Sequence, residues 1–219
     1  HSGVPLGILA SSISLVGMFQ NADDTETIGY FVGESLLAVF YGGAVSFIGY
    51  LNLNTDDITI KHSSHSNLTK LCMLLINTFL IVAGMHYYAD IDAFVDGSTV
   101  YIFIAFASAC LLLNRDESKS IYSLFCETMV IASLASVIIA LISYSTYQGH
   151  PRAIVPPMAI GILGPLYGAF VIFQCATFFP ETDLREINFG KISWHLLEIS
   201  GFWILMVLAP KSLLEMSVW

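Results

Sequence analysis

Seven long apolar runs constrain the fold of this 219-residue chain more than any other feature. Each run is about 15 to 27 residues long, close to the length that an α-helix needs to cross roughly 30 Å of hydrocarbon. The runs are continuously apolar, whereas strands of a membrane barrel would alternate over about ten residues, so we predict an all-α, multi-pass membrane protein. The predicted spans are Val4–Phe19, Tyr30–Leu51, Leu68–Tyr88, Thr99–Leu113, Ile121–Tyr147, Val155–Phe179 and Trp194–Leu208.

The composition excludes a water-soluble domain. Hydrophobic residues make up 56% of the chain and charged residues only 11%, whereas a soluble domain is about one quarter charged. The first run lacks a preceding basic segment and a small-residue cleavage site, so we expect a membrane span there and not a cleaved signal peptide. We therefore treat residues 1–219 as one transmembrane domain embedded in a lipid bilayer.

The basic residues are distributed unequally between the loops, which predicts an orientation. If the N-terminus and the even-numbered loops share one side, that side carries six basic residues and the other side two. The side with more basic residues is expected to be cytoplasmic, which places the N-terminus there and an acidic surface opposite. The six are Lys61, Lys70, Arg115, Lys119, Arg185 and Lys191, and the two are Arg152 and Lys211.

Glycine is concentrated in the second and sixth spans. Gly42, Gly43 and Gly49 lie in the second span, and Gly164 and Gly168 form a small-xxx-small pair in the sixth. Small residues allow helix backbones to approach closely. The pattern fits tight helix packing, and it also fits the lining of a narrow pore, where missing side chains leave room.

Two short motifs carry the most specific signal. The first is Val4-Pro5-Leu6-Gly7-Ile8, and the second is Phe40-Tyr41-Gly42-Gly43, with thirty-two residues between Gly7 and Phe40. Together they make residues 4–57 resemble the N-terminal part of the acetate uptake transporter family, which includes bacterial succinate–acetate permeases. That family opens on a motif of the form N-P-A-P-L-G-L and carries F-Y-G-G about thirty residues later. Here Ser2 and Gly3 stand where the family has asparagine and its first proline.

The resemblance implies a fold and a function. It implies a six-helix transporter-like core over residues 1–179. Residues 180–219 depart from the six-span family: we predict a loop and an additional C-terminal helix there, which either crosses the membrane as a seventh span or lies along its surface. The resemblance also implies transport of acetate or similar small monocarboxylates, through a channel or by proton symport, in a homo-oligomer such as a trimer or hexamer. Tyr41 could offer its hydroxyl to a carboxylate, or it could bond a neighbouring helix. The substrate-binding candidates are Pro5, Leu6, Gly7, Phe40, Tyr41, Gly42 and Gly43.

Ionisable side chains inside the spans are candidates for proton coupling, because charge is costly in lipid and such groups usually face a partner or a water-filled path. Glu34, His195 and Glu198 lie near the ends of their spans and could instead reach the headgroups. Glu127 lies about six residues into the fifth span. A structural hydrogen bond is the alternative role for Glu127.

Other chemistries lack support in the sequence. The pair His62 and His65 has no third ligand nearby, so we predict no metal site. We also predict no enzymatic activity and no cofactor, and the acidic balance argues against nucleic acid as a partner. The alternative function is a non-catalytic structural subunit of a larger membrane complex. A transporter should keep a path bounded by Phe40 and Tyr41, whereas a subunit should have that path filled by side chains.

Overall fold

The computed structural model describes residues 3–21, 25–53, 67–113, 121–146 and 151–178, together with Ile204 and Leu208. Within these ranges the chain forms long α-helices and one short 3₁₀ helix, with no strand. Six segments are long and apolar enough to cross a membrane. The prediction of an all-α, multi-pass membrane protein is therefore confirmed.

The helix bounds follow the apolar runs, with systematic differences at some ends. The second and sixth helices begin four or five residues before their predicted spans, because helices continue into the headgroup region while hydropathy marks only the apolar part. The helices are α1 (Gly3–Gln20), α2 (Thr25–Leu53), α3 (Asn67–Tyr88), the 3₁₀ helix (Ile91–Phe94), α4 (Gly97–Leu113), α5 (Ile121–Thr146) and α6 (Pro151–Phe178).

Helix α1 is the central helix of the described bundle. It packs against α2 along one side and against α6 along another, and it also touches α3 and the 3₁₀ helix. Most of its residues are buried, and Leu15 and Met18 are completely enclosed. By contrast, Ile81 is the single buried residue of α3. A helix that is apolar on all sides but exposed in the isolated chain is suited to contact lipid, so α3 forms part of the outer surface.

Helices α5 and α6 pack closely through serine and glycine. Ser133 and Ser136 of α5 lie directly against Gly168 and Gly164 of α6. Both serine hydroxyls donate to carbonyl oxygens one turn earlier in their own helix, at 2.8 and 3.1 Å. The small-xxx-small pair of the sixth span therefore serves close packing within the chain, as one of its two interpretations predicted. Pro165 lies in the same helix, which continues through it.

The segment between α3 and α4 is held to the middle of α6. The Tyr167 hydroxyl donates a hydrogen bond to the Phe94 carbonyl at 2.9 Å and accepts one from the Asp96 amide at 3.3 Å. Asp96 in turn caps α4, because its carboxylate accepts the Thr99 amide at 2.8 Å and the Thr99 hydroxyl at 2.6 Å. The start of α4 is thus fixed by one aspartate and one tyrosine.

Replacing Tyr167 with phenylalanine should destabilise the start of α4. The change leaves the ring contact with Phe103 in place but removes both hydrogen bonds, at an expected cost of about 1–3 kcal/mol for polar groups left unpaired. Faster amide exchange at Asp96 and a lower unfolding midpoint would report it. Tyr101→Phe is the matched control, because Tyr101 is 78% exposed, and equal effects of the two changes would contradict the role given to Tyr167.

The predicted seventh span, Trp194–Leu208, lies outside the described residues except for two positions. Ile204 and Leu208 are both helical and are one turn apart. Leu208 packs against the large apolar core that α1 organises. The division between residues 1–179 and 180–219 stays a prediction.

Candidate functional site

The first motif forms the beginning of α1. Pro5 lies in the first turn, where a missing N–H costs no intrahelical hydrogen bond. Pro5 and Gly7 are buried, whereas Leu6 between them is 44% exposed. Successive residues of a helix point about 100° apart, so Pro5 and Gly7 lie on opposite sides of Leu6. Both of those sides of α1 are buried, whereas the side that carries Leu6 is exposed.

The two motifs meet at a contact between the backbones of α1 and α2. A Cβ atom placed on Gly42 would lie 2.6 Å from the Gly3 carbonyl oxygen and 2.7 Å from the Gly7 Cα. A Cβ atom placed on Gly7 would lie 2.9 Å from the Ala38 carbonyl oxygen. Only glycine fits at either position without moving a helix, so these two glycines set the distance between α1 and α2. We call this the Gly7–Gly42 contact.

The aromatic half of the second motif points away from the described helices. Phe40 is 67% exposed and Tyr41 is 61% exposed, and their rings touch edge to face with centroids 5.9 Å apart. Gly43 has open space where a side chain would be. Of the seven predicted substrate-binding residues, the structure brings together Gly7 and Gly42. Pro5 is buried in the same turn of α1, while Leu6, Phe40, Tyr41 and Gly43 lie on the outer surface of the described chain.

Serine hydroxyls continue the α1–α2 interface beyond the glycines. Ser35 of α2 donates to the Ser11 carbonyl at 3.2 Å, and Ser14 of α1 donates to the Phe31 carbonyl at 3.0 Å. Both bonds cross between helices and are buried. The sequence prediction omitted these residues, although three serines within one apolar run were a signal that α1 faces other helices and not lipid.

Ser12 lies on a different side of α1 from these bonds. It is completely buried, and its hydroxyl oxygen has no hydrogen-bond partner among the described residues. Pro5, Ser12 and Val16 follow one another at spacings of seven and four, which places them on one face of the helix. A buried polar atom without a partner is unusual, so Ser12 marks this face as one able to receive a polar group.

Glu34 is surrounded by tyrosines. Tyr30 of α2 and Tyr88 at the end of α3 are the phenol neighbours of its carboxylate. The second carboxylate oxygen is buried and has no partner among the described residues. The two roles predicted for Glu34, proton coupling and reaching the headgroups, both stay predictions.

The other three proton-coupling candidates are Glu127, His195 and Glu198. Glu127 is half-buried in α5 and has an interaction partner. His195 and Glu198 lie outside the described residues. Their proposed role stays a prediction.

Comparison with known proteins does not assign the chain to a family. No family model, no curated protein and no solved structure matches the chain. The class of the protein therefore follows from its fold alone, which is that of a multi-pass helical membrane protein with six candidate spans in the described ranges.

Proposed function

We propose that this protein is a transporter or channel for acetate or similar small monocarboxylates. The observation that carries the proposal is the Gly7–Gly42 contact, because it joins in space the two motifs that resemble those of acetate transporters. Motifs separated by thirty-two residues need not meet. Their meeting around the first turn of α1 supports a common site there, with unpaired backbone N–H groups that suit a carboxylate.

The polar groups along α1 and α2 support movement of a polar solute next to these helices. The partnerless Ser12 hydroxyl lies between the two ends of α1. The carboxyl group of Glu34, which has Tyr30 and Tyr88 as neighbours, is a candidate to carry a proton with the substrate. We propose symport through Glu34 or Glu127, with the N-terminal end of α1 in the cytoplasm and a homo-oligomer as the functional form.

Uptake of labelled acetate into proteoliposomes tests the proposal through Tyr41. If the Tyr41 hydroxyl binds the carboxylate, Tyr41→Phe should raise the half-saturating concentration about tenfold, since a hydrogen bond to a charged group contributes about 1.5–3 kcal/mol. Tyr101→Phe is the control, because Tyr101 is also exposed but lies on α4. If the half-saturating concentration is the same in both variants as in the unmodified protein, Tyr41 does not bind the carboxylate.

Proton coupling is tested with the same vesicles at two external pH values. Glu34→Gln should abolish the pH dependence of uptake while leaving a basal rate, because glutamine keeps the shape and one acceptor oxygen but carries no titratable proton. Glu127→Gln is the parallel variant. A pH dependence that survives in both variants would contradict coupling through either carboxyl.

The exposure of Phe40 and Tyr41 favours a second candidate function, a non-catalytic subunit of a larger membrane complex. Two adjacent aromatic side chains on an outer helix face are typical of a surface that packs against another protein. Uptake indistinguishable from that of empty vesicles, by protein shown to be folded, would favour this function. Co-purification of a stable partner that Phe40→Ala releases would then support it.

A further inference from the structure

A cavity lies at the end of α1 remote from the two motifs. Its volume is about 160 Å³, and it opens between the last turn of α1, the 3₁₀ helix and the first half of α6. It is on the face of α1 that carries Ser12, because Val16 follows Ser12 by one helical turn. The lining residues are Val16, Phe19, Gln20, Ala93, Ala159, Ile162 and Leu163.

The volume of the cavity limits the size of a ligand. An engineered apolar protein cavity of about 150 Å³ binds benzene, which has six non-hydrogen atoms. A cavity of about 160 Å³ therefore accepts a molecule of similar size. Butyric acid also has six non-hydrogen atoms, and acetic and propionic acids have fewer.

One polar side chain, that of Gln20, lines the cavity and is also exposed. The Gln20 side-chain oxygen accepts a hydrogen bond from the Asp90 amide at 2.9 Å. Since the oxygen of the amide is engaged there, the NH₂ group of Gln20 is left with donors for another acceptor. A carbonyl oxygen of a ligand is such an acceptor, while the other six lining residues are apolar and would surround an alkyl chain.

The surroundings of the cavity disfavour an anionic ligand. None of the seven lining residues is charged. Asp90 and Asp92 are exposed on the segment that carries Ala93, and half-buried Asp96 follows it. Moving a carboxylate from water into an apolar cavity is costly, and neighbouring carboxylates add repulsion. The uncharged acid avoids both costs.

We propose that this cavity binds the protonated, uncharged form of a short-chain monocarboxylic acid of up to four carbons, with its carbonyl oxygen on the Gln20 amide. The inference rests on the proposed function, since it names the form of the substrate at one end of the protein. Binding can nevertheless be measured without transport.

Calorimetric titration of the purified full chain in detergent tests the cavity. Butyric acid should bind more tightly at acidic than at neutral pH, whereas butyramide, which stays uncharged, should bind equally at both. Ala159→Leu fills the cavity and should weaken binding of either ligand by about tenfold or more. Ala109→Leu is the control, because Ala109 is exposed on α4.

Three results would overturn the proposal. They are equal binding of butyric acid at both pH values, binding that Ala159→Leu leaves unchanged, and no binding of butyramide or butyric acid by folded protein. The last would indicate that lipid or detergent chains fill the cavity. Acetate uptake with no binding here would overturn this inference alone, whereas pH-dependent binding without uptake would overturn the proposed transport and leave the cavity as a binding site.

Discussion

Gly42→Ala is expected to lower the free energy of unfolding by about 1–3 kcal/mol, whereas Gly43→Ala should leave it unchanged or raise it slightly. The new methyl group at Gly42 would lie 2.6 Å from the Gly3 carbonyl oxygen and 2.7 Å from the Gly7 Cα. Both are backbone atoms, so α1 and α2 must separate, and forced overpacking typically costs this amount. The methyl group at Gly43 would enter open space.

The adjacent glycines form a matched pair. Both lie inside α2, so the gain in helix propensity from glycine to alanine is common to both, and the difference between the variants reports the contact alone. Equilibrium unfolding in mixed micelles measures it. Equal stabilities of the two variants would show that α1 and α2 do not approach through Gly42, and would remove the geometry on which the candidate site depends.

Gly168→Ala and Gly164→Ala are both expected to destabilise the α5–α6 pair by about 1–3 kcal/mol, but only the first should be rescued by a serine-to-alanine change. At Gly168 the nearest atom is the Ser133 hydroxyl oxygen, which Ser133→Ala removes, leaving the Ser133 Cβ at 3.3 Å. At Gly164 the nearest atom is the Ser136 Cβ, which alanine retains.

The rescue is measured as a coupling energy in two double-mutant cycles. Gly168→Ala with Ser133→Ala should recover much of the lost stability, and the Met129 carbonyl at 3.1 Å limits how much. Gly164→Ala with Ser136→Ala should recover little, whereas Gly164→Ala with Ser136→Gly should recover more. Identical coupling in the two alanine cycles would contradict the different contacts assigned to the two glycines.

The sequence predicted the helices well because membrane insertion depends on local hydrophobicity, which any stretch of residues displays by itself. The early start of α6 at Pro151 was missed, since polar turns outside the hydrocarbon give no hydropathy signal. The close approach at Gly168 was predictable from its four-residue spacing to Gly164. Which helix fills the space beside that pair depends on the tertiary arrangement.

The candidate site was predictable only in part. Sequence reasoning identified Gly7 and Gly42 through their motifs, and the structure brings them together. It could not foresee that Tyr41 points outward, because the direction of a side chain depends on which face of a uniformly apolar helix is buried. It also omitted Ser12 and Gln20, whose importance comes from a missing partner and a neighbouring cavity and not from their spacing.

An acetate counterflow experiment is the most direct test of whether the protein transports a small monocarboxylate. Proteoliposomes that contain the full chain are loaded with unlabelled acetate and diluted at neutral pH into labelled acetate, with empty vesicles as the control for passive leak. We predict a transient accumulation of label above its equilibrium level, as expected when labelled and unlabelled acetate share a saturable path. Label that rises no higher and no faster than in empty vesicles, with protein shown to be folded and inserted, would contradict it.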